Sequence, residues 1–496
     1  MRSSGILLPI FSLPGKYGIG GFTKEAYKFV DFLKEAGQKY WQILPLGPTG
    51  YGDSPYQSFS TFAGNPYFID VDELVEEGYI TKEECDEYDA STTHGYIEYE
   101  KLYNNRMKLL RIAYMKSNIR ENALFNEFIS DNAYWLDDYA LFMAVKAKFD
   151  GKAWSEWDKG IRVRVPEEIE KYKEECAVEM DFYRFQQFYF SKQWKALKFY
   201  ANEKGIEIIG DIPIYVAFDS SDAWANPELF DLNSENIPNK VAGCPPDPFA
   251  VTGQLWGNPL YEWDYHKKTG FEWWIHRIAY CFDLYDVIRI DHFRGFDEYY
   301  TIPYGDPTAE NGTWKTGPGY ELFEAINNAL GERKIIAEDL GFLTDSVRDL
   351  VKKTGYPGMK VLQFAFGGDP GSEYLPHTLW NNSIIYTGTH DNETTRGWYK
   401  RIVTDEPYSR KFFDEYTGNA GEETAADTLI RVAMSSVVDT CVIMMQDYLN
   451  LGNEARINTP STLGDNWNWR MSAEALTPEL AEKIARLTHI FERECK

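Results

Sequence analysis

The chain has 496 residues, of which 44% are hydrophobic and 26% are charged, and its formal net charge is −26 at pH 7. This composition is typical of a globular protein and excludes a collagen-like, low-complexity or globally disordered chain. A surface this acidic repels phosphate backbones and anionic lipids, so neither nucleic acid nor membrane is expected as a partner. Neutral or cationic ligands are expected instead, and the 34 Tyr and 15 Trp residues suit the flat face of a sugar ring.

Cysteine usage and the absence of long apolar segments predict a cytoplasmic protein. The six cysteines are scattered, without a CxxC pair or zinc-type spacing to His, which is typical of free thiols in a reducing compartment. The apolar segment near the N-terminus is only about six residues long and is interrupted by Pro9, which is too short for a signal peptide. No run approaches the roughly 18 apolar residues that a membrane span needs.

Short apolar runs of β-type composition recur along the chain, each followed by a loop and often by a helical pattern. The first run precedes a helix that begins after Thr23, its predicted N-cap, and ends at Gly37. Eight strands alternating with helices predict an α/β fold, a parallel (β/α)8 TIM barrel, with an open doubly wound sheet as the alternative. The runs comprise residues 6–11, 40–46, 206–209, 287–291, 334–338, 359–364, 383–387 and 441–446.

The uneven spacing of these runs predicts two insertions into a single catalytic barrel domain spanning residues 1–496. Residues 66–185 are rich in charged helical patterns and are predicted to form an inserted helical subdomain. Residues 217–262 are rich in Pro, Gly and aromatic residues. They are predicted to form an inserted loop subdomain over the active site, a stiff surface loop rather than a regular element.

Carboxylates end four of the predicted strands, which is where a barrel of this kind has its active site. These residues are Asp211, Asp291, Glu338 and Asp391. Asp291 and Arg289 are two positions apart and therefore share one face of their strand, which we predict points into the barrel. The guanidinium of Arg289 is expected to lower the pKa of Asp291 and keep it ionised, as a nucleophile requires. A buried structural salt bridge is the alternative.

Glu338 ends the strand that follows, and adjacent strands lie about 4.8 Å apart. Two facing carboxyl groups about 5–5.5 Å apart are typical of a retaining glycosidase, in which one attacks the anomeric carbon and the other protonates the leaving oxygen. The apolar residues before Glu338 and nearby negative charge are expected to raise its pKa. Asp391 can then bind vicinal sugar hydroxyls and His390 can donate to one, with a structural loop histidine as the alternative. A hard-cation site built from the carboxylates is a further alternative.

Aromatic residues in the loops after the strands are candidate platforms for sugar rings. Tyr56 follows the second strand and is placed at the reaction centre by this interpretation. Phe249 and Trp256 lie in the segment 243–259 and are candidate platforms further along the cleft. Packing against the protein is the alternative for each of them.

Six motifs, taken in order, resemble those of the 4-α-glucanotransferases, also called amylomaltases or disproportionating enzymes, of glycoside hydrolase family 77. The resemblance covers almost the whole chain. It implies transfer of an α-1,4-glucan segment from a malto-oligosaccharide donor to the 4-hydroxyl of an acceptor glucan, or to the segment's own end to form a ring, by a retaining double displacement without a cofactor. The motifs are residues 5–14 (GILLPIFSLP), 50–57 (GYGDSPYQ), 210–216 (GDIPIYV), 289–295 (RIDHFRG), 337–341 (AEDLG) and 389–392 (THDN).

The resemblance also implies roles for individual residues. Asp291 matches the nucleophile, Glu338 the acid/base and Asp391 the carboxylate that stabilises the transition state. An α-glucan hydrolase of the same superfamily, a non-catalytic carbohydrate-binding protein and a metal-dependent barrel enzyme are the alternative functions. The residues that match sugar contacts of the family are Tyr56, Asp211, Arg289, His390 and Asn458, together with Phe249 and Trp256 in the loop over the acceptor channel.

Overall fold

The computed structural model describes residues 2–50, 52–92, 95–246, 250–341 and 343–494. In these residues the strands are β1 (Ser3–Leu7), β2 (Tyr40–Gln42), β3 (Glu207–Ile212), β4 (Lys240–Cys244), β5 (Gln254–Pro259), β6 (Val287–Ile290), β7 (Glu298–Pro303), β8 (Thr313–Thr316), β9 (Ile335–Ala337), β10 (Gly358–Val361), β11 (Ser383–Tyr386) and β12 (Thr440–Met444).

Eight of the described strands close into a parallel barrel in the order β1-β12-β11-β10-β9-β6-β3-β2. Since β1 pairs with both β12 and β2, the predicted (β/α)8 barrel is confirmed and the open doubly wound sheet is excluded. The first predicted run, 6–11, overlaps only the end of β1. Pro9 has no N–H for the ladder, and the chain turns there into a 3-10 helix at Ile10–Ser12.

Alternation along the strands separates the barrel interior from the layer that packs against the helices. Ile288 and Ile290 of β6 belong to the large cluster between barrel and helices, whereas Val287 faces the interior. Arg289 and Asp291 have the parity of Val287 and therefore share the inward face, as predicted. The interior is filled by Leu7, Ile209, Val287, Ile336, Met359, Val361, Ile384, Tyr386 and Val442.

Helices surround this barrel. The first begins after Thr23, whose side chain accepts from the backbone N–H of Glu25, and Gly37 follows its end in the left-handed region, as predicted. The described helices are α1 (Lys24–Glu35), α2 (Val71–Glu76), α3 (Lys82–Glu87), α4 (Tyr99–Ser117), α5 (Ala123–Asp131), α6 (Ala133–Lys148), α7 (Lys159–Arg162), α8 (Pro166–Glu175), α9 (Ala177–Glu203), α10 (Ser221–Ala225), α11 (Trp263–Lys268), α12 (Glu272–Leu284), α13 (Tyr320–Leu330), α14 (Asp345–Thr354), α15 (Thr395–Asp405), α16 (Pro407–Thr417), α17 (Glu422–Ser435), α18 (Met445–Tyr448) and α19 (Pro478–Ile490).

The helices α2 to α9 fill the chain between β2 and β3. The long helix α9 packs on α6 and on α4, and it also packs on α1 and β3, so it joins the other helices of this stretch to the barrel. Among the helices that the structure describes, none combines the length and the apolar character needed to cross a bilayer. Five of the six cysteines lie in the described residues and have free thiols.

The prediction that residues 217–262 lack regular elements is wrong. They contain α10, β4 and β5, and the two strands join β7 and β8 in an antiparallel sheet of order β5-β4-β7-β8. β4 and β5 are close in sequence, but glycine interrupts β4 and its other partner, β7, lies about 60 positions away, so the local pattern for these strands is weak. Gly243 is required there, since a Cβ at this position would lie 2.2 Å from the carbonyl oxygen of Gln254. The sheet places β5 beside the chain that leaves β6.

Candidate active site

The carboxyl ends of β3, β6 and β9 lie side by side on one rim of the barrel. Asp211 pairs in register with Arg289, and Ile290 pairs with Ala337. The pairing continues one residue further, because the N–H of Glu338 donates to the carbonyl of Ile290 at 3.1 Å. Asp291 and Glu338 therefore leave neighbouring strands at the same height, as their positions in the sequence predict.

Arg289 connects two of the rim carboxylates. Its buried Nη1 donates to both oxygens of Asp211 at 2.7 Å and to Oδ1 of Asp291 at 3.1 Å. The Asp211 carboxylate also accepts from the hydroxyl of Tyr56 at 2.8 Å. Arg289 thus makes two short hydrogen bonds to Asp211 and one longer hydrogen bond to Asp291.

The expectation that Arg289 holds the pKa of Asp291 below its usual range is wrong. Desolvation by the surrounding protein raises the pKa of Asp291 to about 6, against the lowering effect of Arg289, and the charges of Asp211 and Asp391 add to the rise. The guanidinium is already engaged by Asp211, so it compensates Asp291 only in part. The side chain of Asp291 is still 29% exposed. With a pKa of about 6, Asp291 is ionised at neutral pH.

Glu338 has the higher pKa of the two carboxyl groups. Burial and then the negative charge of Asp291 raise the pKa of Glu338 to about 8, as the apolar residues before it predict. Its Oε2 accepts a hydrogen bond from the backbone N–H of His292 at 2.6 Å. At neutral pH one carboxyl is therefore protonated and its neighbour is ionised, which is the arrangement of an acid beside a nucleophile.

His292 was not singled out from the sequence, although it follows Asp291 directly. Its backbone lies in the left-handed region with φ 50°, a conformation that strains a residue with a side chain. The turn directs its N–H at Glu338, and its ring meets Trp256 edge to face with a centroid distance of 4.8 Å. Burial lowers the pKa of His292 to about 3, so the ring is neutral.

Asp391 lies after β11 and is held by two neighbours. Oδ1 accepts from Nδ2 of Asn458 at 2.6 Å, and Oδ2 lies 3.3 Å from Nε2 of His390. Burial alone would raise the pKa of Asp391, but His390 and Asn458 lower it to about 2. Asp391 is therefore ionised wherever Asp291 titrates. Asn458 is also anchored by its own N–H, which donates to the carbonyl of His390.

Tyr56 closes the side of the site that carries Asp211. Its ring stacks on His390 with a centroid distance of 5.2 Å and an angle of 21°. Trp467, which sequence reasoning missed, contacts both rings at 5.8 and 5.9 Å. No spacing in the sequence indicated Trp467, because it lies more than 70 residues beyond the last strand-end motif.

Trp256 of β5 reaches the site through His292. Its indole N–H donates to Oε1 of Gln254 at 3.0 Å, which fixes the plane of the ring. The same strand is joined to the loop of Tyr56, because Nε2 of Gln57 donates to Oδ1 of Asn258 at 3.1 Å. The predicted platform Phe249 lies outside the described residues.

Comparison with known proteins shows which proteins this chain is similar to. A family model described as 4-alpha-glucanotransferase matches residues 8–477. A 4-alpha-glucanotransferase of Clostridium butyricum is 54% identical over 98% of this chain and 99% of its own length, and one of Streptococcus pneumoniae serotype 4 is 49% identical over 99% and 97%. An amylomaltase from Streptococcus agalactiae, solved in complex with acarbose, superposes with a TM-score of 0.96 at 42% identity and covers both chains completely.

Proposed function

The chain belongs to the 4-alpha-glucanotransferase family, glycoside hydrolase family 77, and we propose that Asp291, Glu338 and Asp391 carry out its reaction. The activity is transfer of a segment of α-1,4-glucan from a donor to an acceptor glucan. The donor is proposed to be a malto-oligosaccharide, and the acceptor group is proposed to be the 4-hydroxyl of a second glucan or of the segment's own end.

In the first half of the reaction, the ionised carboxylate of Asp291 attacks the anomeric carbon of the donor. The bond from that carbon to the glycosidic oxygen breaks, and Glu338 gives its proton to the departing oxygen. The raised pKa of Glu338, about 8, supports its role as this acid. The products are a free shorter glucan and a glucan joined to Asp291 by an ester bond of inverted, β configuration.

In the second half, Glu338 is ionised and acts as a base. It takes the proton from the 4-hydroxyl of the acceptor as that oxygen attacks the anomeric carbon, and the ester bond to Asp291 breaks. A second inversion restores the α configuration. Glu338 recovers its proton and Asp291 its charge, so the cycle needs neither a metal nor a cofactor.

Asp391 is proposed to stabilise the oxocarbenium-like transition states. A carboxylate that stays ionised can accept hydrogen bonds from vicinal hydroxyls, and these bonds strengthen as positive charge develops on the ring. Tyr56, Asp211, Arg289, His390 and Asn458 are proposed to surround the same sugar. The contacts of His390 and Asn458 with Asp391 support this, because both hold its carboxylate in place.

Transfer rather than hydrolysis requires that an acceptor sugar outcompetes water. Effective molarities of well-oriented groups reach about 10⁵ M or more, far above that of water. We propose that the strand of Trp256 and the segment 243–259, including Phe249, line the acceptor side and cover the ester. The edge contact between Trp256 and His292, whose N–H binds the acid/base, supports this location.

The division of the chain into domains and its location in the cell are also proposals. Residues 1–496 are proposed to be one catalytic barrel unit, with 66–185 as an inserted helical subdomain and 217–262 as an insertion that roofs the acceptor side. The free thiols of the described cysteines support the proposed cytoplasmic location.

One observation carries the mechanism: Asp291 and Glu338 leave neighbouring strands that are paired in register. The higher pKa of Glu338 supports its role as the acid of the pair. The test is incubation with maltotriose alone in EDTA, followed by separation of products by length. Glucose together with a ladder of longer glucans is expected. Maltose and glucose alone would indicate hydrolysis, and inactivation by EDTA would indicate a metal enzyme.

Variants of Asp291 and Glu338 test the proposed roles of these two residues, whereas the maltotriose experiment tests the transfer activity itself. Asp291→Asn and Glu338→Gln should fold normally and lose most of the transfer rate, since acid–base catalysis alone contributes about 10²–10⁴-fold. Asn328→Ala, an exposed change on α13, is the control. Turnover close to that of the unmodified chain in either carboxyl variant would contradict the assignment.

A further inference from the structure

A second cavity lies outside the reaction centre, between the loop after β2 and the helices α6, α10 and α12. Its volume is about 170 Å³. A cavity of this size has room for on the order of ten water molecules, which is room for a hexose. Neither the proposed mechanism nor any motif of the sequence uses it.

Aromatic rings form one wall of this cavity. Tyr134 at the start of α6 is 58% exposed, and its ring stands nearly perpendicular to Phe62, at 83° and 5.8 Å. Trp135 stacks on Phe62 at 6.2 Å, and Trp273 lines the cavity from α12. These contacts hold a large exposed ring in place at the edge of a polar cavity, which is a platform for the apolar face of a sugar.

Two carboxylates form the polar part of the lining. Asp222 is only 4% exposed, and its Oδ2 accepts from the N–H of Thr61 at 2.8 Å. Asp138 is paired with Arg164, whose Nη2 lies 2.7 Å from Oδ1. The positive charge of Arg277 acts on Asp222 and lowers its pKa against the larger effect of burial, which raises it to about 6.

The charges decide which ligand suits the cavity. Each carboxylate has an arginine nearby, so the lining is not an uncompensated negative site for a cation. Carboxylate oxygens nonetheless repel a phosphate or a carboxylate ligand and accept well from hydroxyl groups. Among the described residues, no cluster of three or more His, Cys, Asp or Glu side chains that could hold a metal is found. A neutral polyol is the class that fits both walls.

The cavity also adjoins the reaction centre through a shared loop. Ser60 lines it and also lines a smaller cavity of about 50 Å³ behind Tyr56 and Asp211. The backbone of the same loop is tied to α10, because the N–H of Ser221 donates to the carbonyl of Phe59 at 2.8 Å. The second cavity therefore lies beside the loop that carries Tyr56.

We infer that this second cavity binds a glucosyl unit of an α-glucan at a site separate from the reaction centre. That the ligand is a glucan follows from the proposed function, whereas the existence of the binding site is inferred from the residues that line the cavity. Binding here holds a polymeric substrate near the cleft and takes no part in bond breaking. The rate of transfer with maltotriose is therefore independent of the site.

The experiment measures the number of maltoheptaose molecules bound by the full chain. Glu338→Gln is used as the background so that the probe is not consumed, and titration calorimetry is run up to millimolar maltoheptaose. Two binding events are expected. Adding Tyr134→Ala and His276→Ala, both at exposed positions that line the cavity, should leave one. Tyr103→Ala is the matched control, since this tyrosine of α4 is 63% exposed and lies elsewhere.

The outcomes separate this inference from the proposed function. A single event in the background, unchanged by the double substitution, would overturn the second site and leave the proposed function intact. Two events that persist in the double variant would also overturn it. An event that the double substitution removes, without any event that Tyr56→Ala removes, would support the second site and contradict the proposed reaction centre.

Discussion

Nδ2 of Asn458 donates a hydrogen bond to Oδ1 of Asp391 at 2.6 Å, although the two residues are 67 positions apart. With His390 at the other oxygen, this contact fixes the Asp391 carboxylate and holds its pKa at about 2. Asp391 therefore shares no proton with Asp291, and Asp291, Glu338 and Asp391 have three distinct affinities for a proton. Such a separation would let one rim hold a nucleophile, an acid and a permanent charge together, which are the roles proposed for these three residues.

Removing the Asn458 amide tests that contact. Asn458→Ala should lower kcat/KM by roughly 10- to 100-fold, because a hydrogen bond to a charged group contributes about 1.5–3 kcal/mol. The fold should be retained, as judged by an unchanged melting temperature. The measurement is the initial rate of transfer between maltotriose molecules, with Asn328→Ala as the control. A rate within twofold of the unmodified chain would show that the contact does not support catalysis.

The pH dependence of kcat/KM should be bell-shaped. Activity should rise with a midpoint near pH 6 as Asp291 loses its proton, and fall with a midpoint near pH 8 as Glu338 loses its own. Because the two groups interact, the midpoints belong to the pair rather than to single residues. The measurement is kcat/KM for maltotriose between pH 4 and 10 at constant ionic strength.

The fall of kcat/KM above pH 8 can be assigned to Glu338 with a substrate whose leaving group needs no proton. In Glu338→Gln, the first turnover should still release a burst of fluoride from α-maltosyl fluoride, because fluoride leaves without a proton, and the rate of this burst should no longer fall above pH 8. The unmodified chain with maltotriose is the reference. An alkaline limb that persists with the fluoride in this variant would contradict the assignment of the acid.

The barrel and most of its rim are predictable from the sequence because strand alternation and strand ends are local signals. The parity of Arg289 and Asp291 and the height of Glu338 follow from such signals alone. The distribution of the Arg289 guanidinium between two carboxylates is not local, since it depends on the register of β3 against β6. The predicted direction of the Asp291 pKa shift is wrong chiefly because burial, which strand alternation does not reveal, outweighs the partly engaged guanidinium.

Other parts of the site also depend on pairing between distant segments. Trp467 reaches Tyr56 and His390 from near the C-terminus, and the turn at His292 is defined by a hydrogen bond to the next strand. Trp256 stands on β5, which pairs with nearby β4, but the sheet also includes β7, which pairs with β4 about 60 residues away, so no short window of sequence contains the whole sheet. Predicting these features requires the fold itself.

Arg289→Lys tests the shared guanidinium. A lysine keeps the positive charge, but its side chain is one bond shorter than the distance to Nη1, the nitrogen that contacts both Asp211 and Asp291, so the contact with Asp291 should weaken and its pKa should rise. The acid limb of the pH profile should move upward by roughly one unit. Arg120→Lys, at the ion pair with Asp181 in the helices between β2 and β3, is the control. An acid limb that stays in place would show that Arg289 does not act on Asp291.

Arg493 supports the seam at which the barrel closes and is predicted to act on stability alone. Replacement by Met would leave buried carbonyl oxygens without donors and should lower the free energy of unfolding by at least about 3 kcal/mol. Calorimetry should show a lower melting temperature with kcat at 25 °C unchanged, and Arg486→Met, at an exposed position of α19, should show neither effect. An equal melting temperature in the two variants would contradict the prediction. The acceptors of Arg493 are the carbonyls of Ser3, Met434, Ser436, Val438 and Asp439.

Trp256→Ala should separate the two halves of the reaction. The proposed first half needs no acceptor, whereas the second needs an acceptor sugar held against the ester, and an aromatic contact contributes about 0.5–1.5 kcal/mol. Release of the leaving group from a chromogenic maltoside should therefore change little, while transfer to added maltose should fall by up to roughly tenfold and hydrolysis should gain. Trp314→Ala, on β8 at the opposite edge of the same sheet, is the control. Equal losses in both steps would show that Trp256 maintains the site as a whole and is not an acceptor platform.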